Sequence, residues 1–392
     1  MQDERSGLMK NFEFLLPTRV VFGNGVIEQI GTEAEHLGKR ALIVTDKGLL
    51  ATGYVEKIQD LLKNAGVASE IFADIDPNPR DTSVDSGAAA ARKAKANMLV
   101  GVGGGSAVDT AKAIGILLQT GGKIQDYEGL DKVKKPITPL IAVPTTAGTG
   151  TEVTFWSVIT DTKRHYKMSV GSPLIAATVA LVDPMLTMSL PKAITAYTGI
   201  DALVHAIEGY TATLSQPVSD SLALSAIAYI SGHIRKAYAN GRDAAARYHM
   251  MLGSMLAGMA FGNSDVASVH CMGEAMGGLY DTPHGLSMAV CLPYCMEHNL
   301  MAEPERFARI AAAMGENIQD LPPLEAAEKG TLAVRKLLKD LDIPDARTVG
   351  LKKQDLKKLA NAAAANVSVE SNPRTLEKAD FLTMFQRAYD NQ

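Results

Sequence analysis

In the first half of the chain, short apolar runs alternate with longer amphipathic stretches. Residues 41–45 (ALIVT), 69–72 (SEIF), 98–102 (MLVGV) and 140–143 (LIAV) are brief and mostly apolar, so they read as strands. Residues 53–65 and 83–94 repeat their apolar positions at helical spacing, and 76–80 (DPNPR) is a turn between two such units. Strands alternating with helices predict a parallel sheet with crossover helices.

Past Pro184 the pattern changes. From Leu190 onward strand candidates are few, and apolar residues recur at helical spacing over 196–212, 220–239, 244–262, 304–314, 324–341, 355–364 and 378–389. Pro191, Pro217, Pro283, Pro293 and Pro304 are read as punctuation between these helices. The fold expected is an α/β N-terminal domain with a parallel sheet, residues 1–187, followed by an all-α C-terminal domain, residues 188–392. There is no tandem repeat or low-complexity tract.

Composition narrows the function classes. A chain of 392 residues with 46% hydrophobic and 21% charged residues can bury a core of ordinary size. The net charge of -4, with no basic block carrying interleaved aromatics, gives no electrostatic reason to expect nucleic acid as the main ligand. No apolar stretch reaches the ~20 residues of a membrane span. The first ten residues, MQDERSGLMK, lack a secretory apolar run and read as a disordered end or an adaptor-binding tail. Cys271, Cys291 and Cys295 are odd in number and clustered late, so they read as buried or free thiols in a reducing, cytoplasmic compartment.

Two loops at strand ends carry candidate ligand chemistry. Gly103, Gly104, Gly105 and Ser106 follow the MLVGV run directly and open a helical pattern over 107–117. Glycines let a ligand approach the backbone, and a helix N-terminus attracts phosphate. The motif is not G-x-G-x-x-G, so a plain dinucleotide fingerprint does not apply. The second loop, 144–151 (PTTAGTGT), offers Thr145, Thr146, Thr149 and Thr151 to a phosphate, ribose or amide, or else to its own backbone. Ligands of open α/β sheets bind at strand C-termini, which favours the ligand reading for both loops. Asp46 ends the ALIVT strand. It either accepts from an adenosine ribose, favouring NAD over NADP, or caps the next turn.

Asp201 and His205 lie four apart in TGIDALVHAIEGY and share one face of an expected helix in a mostly apolar segment. Buried polar groups of this kind need a partner or a metal. His270 and His284, in VHCMGEAMGGLYDTPHG, are the candidates to join them. One Asp and three His make an N/O set suited to Fe(II), Zn or Mn, and unlike a thiolate cluster. The remaining histidines, His36, His165, His233, His249 and His298, have no comparable setting and read as ordinary surface or core residues.

PTRVVFGNG near Pro17, GGGSAVDTAK from Gly103, PTTAGTGTEVT from Pro144, GIDALVHAIEGY from Gly199 and LYDTPHG from Leu279 together resemble the iron-containing (group III) alcohol dehydrogenase family. The resemblance runs in order over nearly the whole chain. It implies a Rossmann-like, dehydroquinate synthase-like α/β domain, a helical metal domain and a cleft between them. It places Asp201, His205, His270 and His284 on metal-ligand positions for Fe(II), or Zn in its place. Gly104, Gly105, Ser106, Asp109, Thr145, Thr149 and Lys167 fall on NAD(H)-contact positions, with Asp46 and Asn78 as adenosine-ribose and phosphate neighbours. Phe261 falls on a substrate-pocket position. A homodimer or larger homo-oligomer is expected on the same ground.

Two positions depart from the family pattern. Many members carry a histidine four residues after the third ligand, where this chain has Glu274. If the segment is helical, Glu274 shares the His270 face as a hydrogen-bond acceptor, a proton acceptor or an extra ligand, or is a structural carboxylate. Trp156, the only tryptophan, replaces a smaller or polar residue and either narrows the pocket or belongs to the core.

The implied chemistry is reversible hydride transfer between NAD(H) and a short-chain primary alcohol or diol, with the metal as Lewis acid. Three rivals stand beside it: a dehydroquinate synthase-like lyase that uses NAD and a metal only transiently, the glycerol dehydrogenase branch with a different metal set, and a non-catalytic scaffold retaining the fold.

Overall fold

The computed structural model describes residues 11–164 and 166–391. The readings made for the N-terminal tail and for His165 lie outside the described residues. Six parallel strands form the main sheet: β1 (Arg19–Phe22), β2 (Arg40–Val44), β3 (Ala68–Phe72), β4 (Met98–Gly103), β6 (Leu140–Pro144) and β9 (Val179–Val182), in the order β1-β9-β6-β4-β2-β3. Alternation along the strands sorts their side chains. Leu42, Val44 and Leu99 pack into the core on one face, while Ala41, Ile43, Met98, Val100 and Val102 pack into the core on the other. A sheet buried on both faces explains why its strands read as apolar runs.

A smaller sheet lies beside it: β5 (Gly129–Leu130), β7 (Trp156–Asp161) and β8 (Tyr166–Gly171), with β8 pairing parallel to β5 and antiparallel to β7. The apolar-run criterion missed this sheet because β7 alternates half-buried and buried residues along WSVITD. It also missed the short strands β1 and β9.

After residue 190 the described chain is helical. The expected helices are present as Lys192–Thr211, Pro217–Ala239, Ala244–Phe261, Pro304–Ala313, Pro323–Asp340, Leu356–Ala364 and Lys378–Asp390. Two more, Ser268–Tyr280 and His284–Asn299, were not read from the apolar pattern. Pro293 is a correction. It lies inside the His284–Asn299 helix instead of dividing two helices. The other four prolines stand at helix starts: Pro191 and Pro283 as N-caps, Pro217 and Pro304 in the first turn.

The strand order positions the cleft. The chain leaves β2 to one side for β3 and returns to the other side for β4, so neighbouring connections diverge at the β2–β4 boundary. Such a switch point opens a crevice at the strand C-termini. Asp46 follows β2 and the glycine turn follows β4 at that crevice.

Candidate active site

The Lys192–Thr211 helix is apolar almost throughout, and from Gly199 to Thr211 every residue is buried. Asp201 and His205 lie within that stretch, so the fold has taken both groups out of water. Two further helices meet them. His270 sits in the first turn of Ser268–Tyr280, and His284 is the first residue of His284–Asn299. One ligand atom from each of the four lies within 4.8 Å of the others. His270 Nε2 stands 3.1 Å from His205 Nε2, and His284 Nε2 stands 3.5 Å from Asp201 Oδ1. Asp201 Oδ1, His205 Nδ1 and His284 Nδ1 are buried without a hydrogen-bond partner among the described residues.

Of these, Asp201 Oδ1 faces His284 Nε2 within the group, and a buried carboxylate oxygen left so is costly unless a cation satisfies it. Burial pushes the Asp201 carboxyl up to about 7, against the pull of His270 and Lys167. Burial holds His205 and His284 well below the usual histidine range, with nearby positive charge adding to it. Neutral imidazoles and an acid short of positive charge are what a divalent ion requires. The donor set is all nitrogen and oxygen, and it fits Fe(II) or Zn.

The spacing argument for metal ligands missed Glu208, which lies on the same helix three residues past His205. Its Oε2 is 2.6 Å from His270 Nδ1, and its Oε1 accepts from Val269 N at 2.6 Å. Burial would lower the His270 pKa, but the Glu208 hydrogen bond and charge outweigh it and raise it. A carboxylate on the far ring nitrogen fixes tautomer and orientation, leaving Nε2 for a metal. Gly285 sets how closely the helices approach. A Cβ there would stand 2.2 Å from Tyr197 O and 3.2 Å from Asp201 Cβ.

At the C-terminal ends of the neighbouring strands β4 and β6 the two sequence loops touch. Gly104 is the N-cap of the Gly105–Thr120 helix, and a Cβ on Gly105 would fall 2.7 Å from Thr149 Cγ2. Gly103 has φ +150°, in the region that favours glycine. Thr145 N donates to Gly103 O at 2.9 Å, and Thr146 packs against Gly104. Thus Thr145 and Thr146 contact the glycine turn itself, while Thr149, Gly105 and Ser106 line the cleft. Ser106 Oγ donates to Pro77 O. Asp46 caps the Lys47–Leu50 helix, accepting from Leu49 N at 3.0 Å, and its Oδ2 lies 3.5 Å from where a Gly103 Cβ would be. It therefore caps the turn and also borders the glycine loop.

Lys167 is buried, and its Nζ donates to Asn78 Oδ1 at 2.9 Å, while Asn78 Nδ2 donates to Asp281 Oδ1 at 2.7 Å. Asp109 is committed to the protein. It accepts from Thr151 Oγ1 at 2.5 Å and from Val158 N at 3.1 Å. Beside it, Lys112, another residue the sequence reading passed over, is fully buried and donates to Thr151 O and Trp156 O at 2.7 Å and to Thr154 O at 3.0 Å.

One cleft of about 650 Å³ joins these parts, and His205, His270, His284, Asn78, Lys167, Trp156, Phe261 and Glu274 all line it. Phe261 stacks on His205 with ring centroids 4.3 Å apart. Trp156 faces the cleft from β7 and covers Gly171, where a Cβ would fall 2.3 Å from the indole. Glu274 stands outside the four-residue ligand group, and its Oε2 accepts from Asn366 Nδ2 at 2.6 Å. Cys271, Cys291 and Cys295 are free and buried.

The family model described as iron-containing alcohol dehydrogenase matches residues 17–184, and the one described as the C-terminal part of the Fe-containing alcohol dehydrogenase family matches residues 195–389. The chain is 40% identical over 377 residues to an NAD-dependent methanol dehydrogenase of Bacillus methanolicus, covering 96% of this chain and 99% of that one. It is 39% identical over 388 residues to a choline dehydrogenase of Bacillus subtilis, covering 98% of this chain and 96% of that one. Its fold matches a crystal structure of 1,3-propanediol oxidoreductase with a TM-score of 0.95 and 41% identity, over 97% of this chain and 100% of that one.

Proposed function

The chain belongs to the iron-containing alcohol dehydrogenase family, and from that premise we propose that it interconverts a short-chain primary alcohol or diol and its aldehyde with NAD(H). The observation that carries this reading is the gathering of Asp201, His205, His270 and His284, their ligand atoms within 4.8 Å of one another and the three histidines lining the cleft. These four residues would hold the metal. Bound there, the ion supplies Lewis acidity to the substrate oxygen, and the nicotinamide carries the hydride.

The rest of the work falls to this chain's own side chains and backbone. Glu208 orients His270. Phe261 lies flat on His205 and keeps water from that face. The open glycine turn receives the pyrophosphate at a helix N-terminus. Asp46 accepts from the adenosine ribose, and Lys167 and Asn78 hold each other at the cleft wall, where they meet the cofactor. Thr149 and Ser106 offer hydroxyls beside them. Residues 1–187 and 188–392 act as two domains with the reaction between them. A homodimer in the cytoplasm is the assembly and compartment that fit this family. No helix among the described residues is long and apolar enough to cross a membrane.

The relatives are named as dehydrogenases, which does not favour the lyase or scaffold readings. Metal analysis with NADH absorbance across a panel of alcohols tests the proposal. Net NADH formation with bound iron or zinc is expected. Asp201→Ala and His270→Ala are expected to lose metal and activity while keeping the native circular dichroism spectrum. Full activity in a metal-free variant would overturn the reading.

A further inference from the structure

We propose that the substrate is an alcohol bearing a positively charged nitrogen two or three carbons from its hydroxyl, with Glu274 as the anion that recognises it. The inference rests on the dehydrogenase reading and adds a substrate class to it.

The charge in the cleft is lopsided. Among the described residues lining it are five carboxylates, Glu13, Asp109, Glu128, Asp265 and Glu274, and one lysine, Lys167. Most of these charges are already used. Glu128 pairs with Arg164 at 2.7 Å. Asp109 takes the bonds described above, and Asp265 accepts from Ser371 Oγ at 2.5 Å and Ser368 Oγ at 3.1 Å. Lys167 donates to the neutral Asn78 amide and keeps its charge, with Glu274 foremost among the carboxylates acting on it, and Glu13 stands exposed.

Glu274 differs from these. It is half-buried, and no basic side chain among the described residues comes within ion-pair distance of it. Its one bond is from Asn366 to Oε2, and Oε1 has no partner among the described residues. Asn366 fixes the carboxylate while leaving an oxygen for a ligand. A half-buried carboxylate without an ion pair attracts a cation and repels an anion, and five carboxylates against the single Lys167 leave the charge balance of the described cleft lining negative.

The surroundings suit a cation. Phe155 and Trp156 line the same cleft, stacked with ring centroids 6.4 Å apart, and aromatic faces attract ammonium groups, quaternary ones included. Position then sets length. Glu274 lies four residues past His270 on one helix, so the two share a face with their Cβ atoms about 5–6 Å apart. A hydroxyl at the metal cluster and a cation at Glu274 are then spanned by two or three carbons. In the reaction the alcohol carbon gives a hydride to NAD+ and the hydroxyl gives its proton to solvent, yielding the amino aldehyde, NADH and H+.

The test compares choline with its neutral carbon isostere, 3,3-dimethyl-1-butanol, and with anionic 3-hydroxypropanoate, using the metal-loaded full chain and NAD+. Choline is expected to exceed the isostere in kcat/KM on the order of tenfold, chiefly through KM, with the anion poorest. Glu274→Gln is expected to bring the choline-to-isostere ratio close to one. Without NAD+, emission from Trp156, the sole tryptophan, is expected to saturate at a lower concentration of choline than of the isostere. Equal or better use of the isostere by the wild type, or a ratio unchanged in Glu274→Gln, would overturn the proposal. If no alcohol, 1-propanol included, reduces NAD+, the dehydrogenase reading fails. The Trp156 titration then judges the cation site alone, and a choline affinity no higher than that of the isostere rejects it.

Discussion

Glu208 Oε2 lies 2.6 Å from His270 Nδ1, so one helix supplies two residues of the candidate metal site and the carboxylate that orients a third on its neighbour. A neutral amide in its place cannot hold the imidazole as a charge-assisted acceptor does. Glu208→Gln is expected to weaken iron or zinc binding about 10- to 100-fold with a matching loss of activity. A competitive chelator titration measures it. Unchanged metal affinity would mean that the bond serves packing alone.

Asp46 borders the glycine turn while it caps a short helix. Replacing it with glycine removes a negative charge that would face a 2′-phosphate and costs only a few tenths of a kcal/mol in capping. Asp46→Gly is expected to raise the ratio of kcat/KM for NADP over NAD on the order of tenfold, by relief of like-charge repulsion. A wild type that already prefers NADP would defeat the ribose assignment.

Lys112 ties the Gly105–Thr120 helix to the loop running into β7, through the carbonyls of Thr151, Thr154 and Trp156. Burial lowers its pKa to about 8, against the opposing pull of Asp109 and Glu152. Lys112→Met keeps the stem but strands these acceptors and leaves Asp109 without its cation. A loss of about 3 kcal/mol in urea unfolding is expected, together with a shift in Trp156 emission.

Glu152 is buried with Oε1 unpartnered, and burial pushes its carboxyl up to about 7 from 4.5. The unfolded chain therefore ionises first. Stability from this group is full below 4.5 and is lost as pH rises through about 7. The difference in unfolding free energy between Glu152→Gln and wild type is expected to grow across that window, by up to about 3 kcal/mol. A difference that stays flat with pH would show that Glu152 is ionised in the fold.

The parts of the site visible in the sequence are those where local geometry and chemistry coincide. Asp201 and His205 share a helix face by spacing alone, whereas joining His270 and His284 to them took the family resemblance. Glu208 continues the same face, yet a glutamate in a helix is ordinarily solvated. Only the packing of a second helix against it makes it an internal acceptor. The hydrophobic tract around it was the available signal, since an acid inside such a tract needs a partner. Lys112 was hidden in the same way, in a helix whose buried residues otherwise carry no charge. In the main sheet β2, β4 and β6 were legible because both sheet faces are covered there, whereas β1 and β9, four residues each, are too short to stand out. The β7–β8 pair was not, because its alternation puts Ser157, Asp161 and Lys167 into buried positions. Pro293 misled because the loss of one backbone donor was read as a boundary, and tertiary packing tolerates it within a helix.

Gly285 gives the candidate metal cluster a mechanical character. The residue after His284 presents bare backbone to Tyr197 O, so the spacing between two ligand-bearing helices is gauged by main chain and not by a compressible side chain. One added methyl group would act as a wedge. It would spread Asp201 and His284 together with their helices, and the site's choice among ions of different radius would shift without the loss of a single ligand.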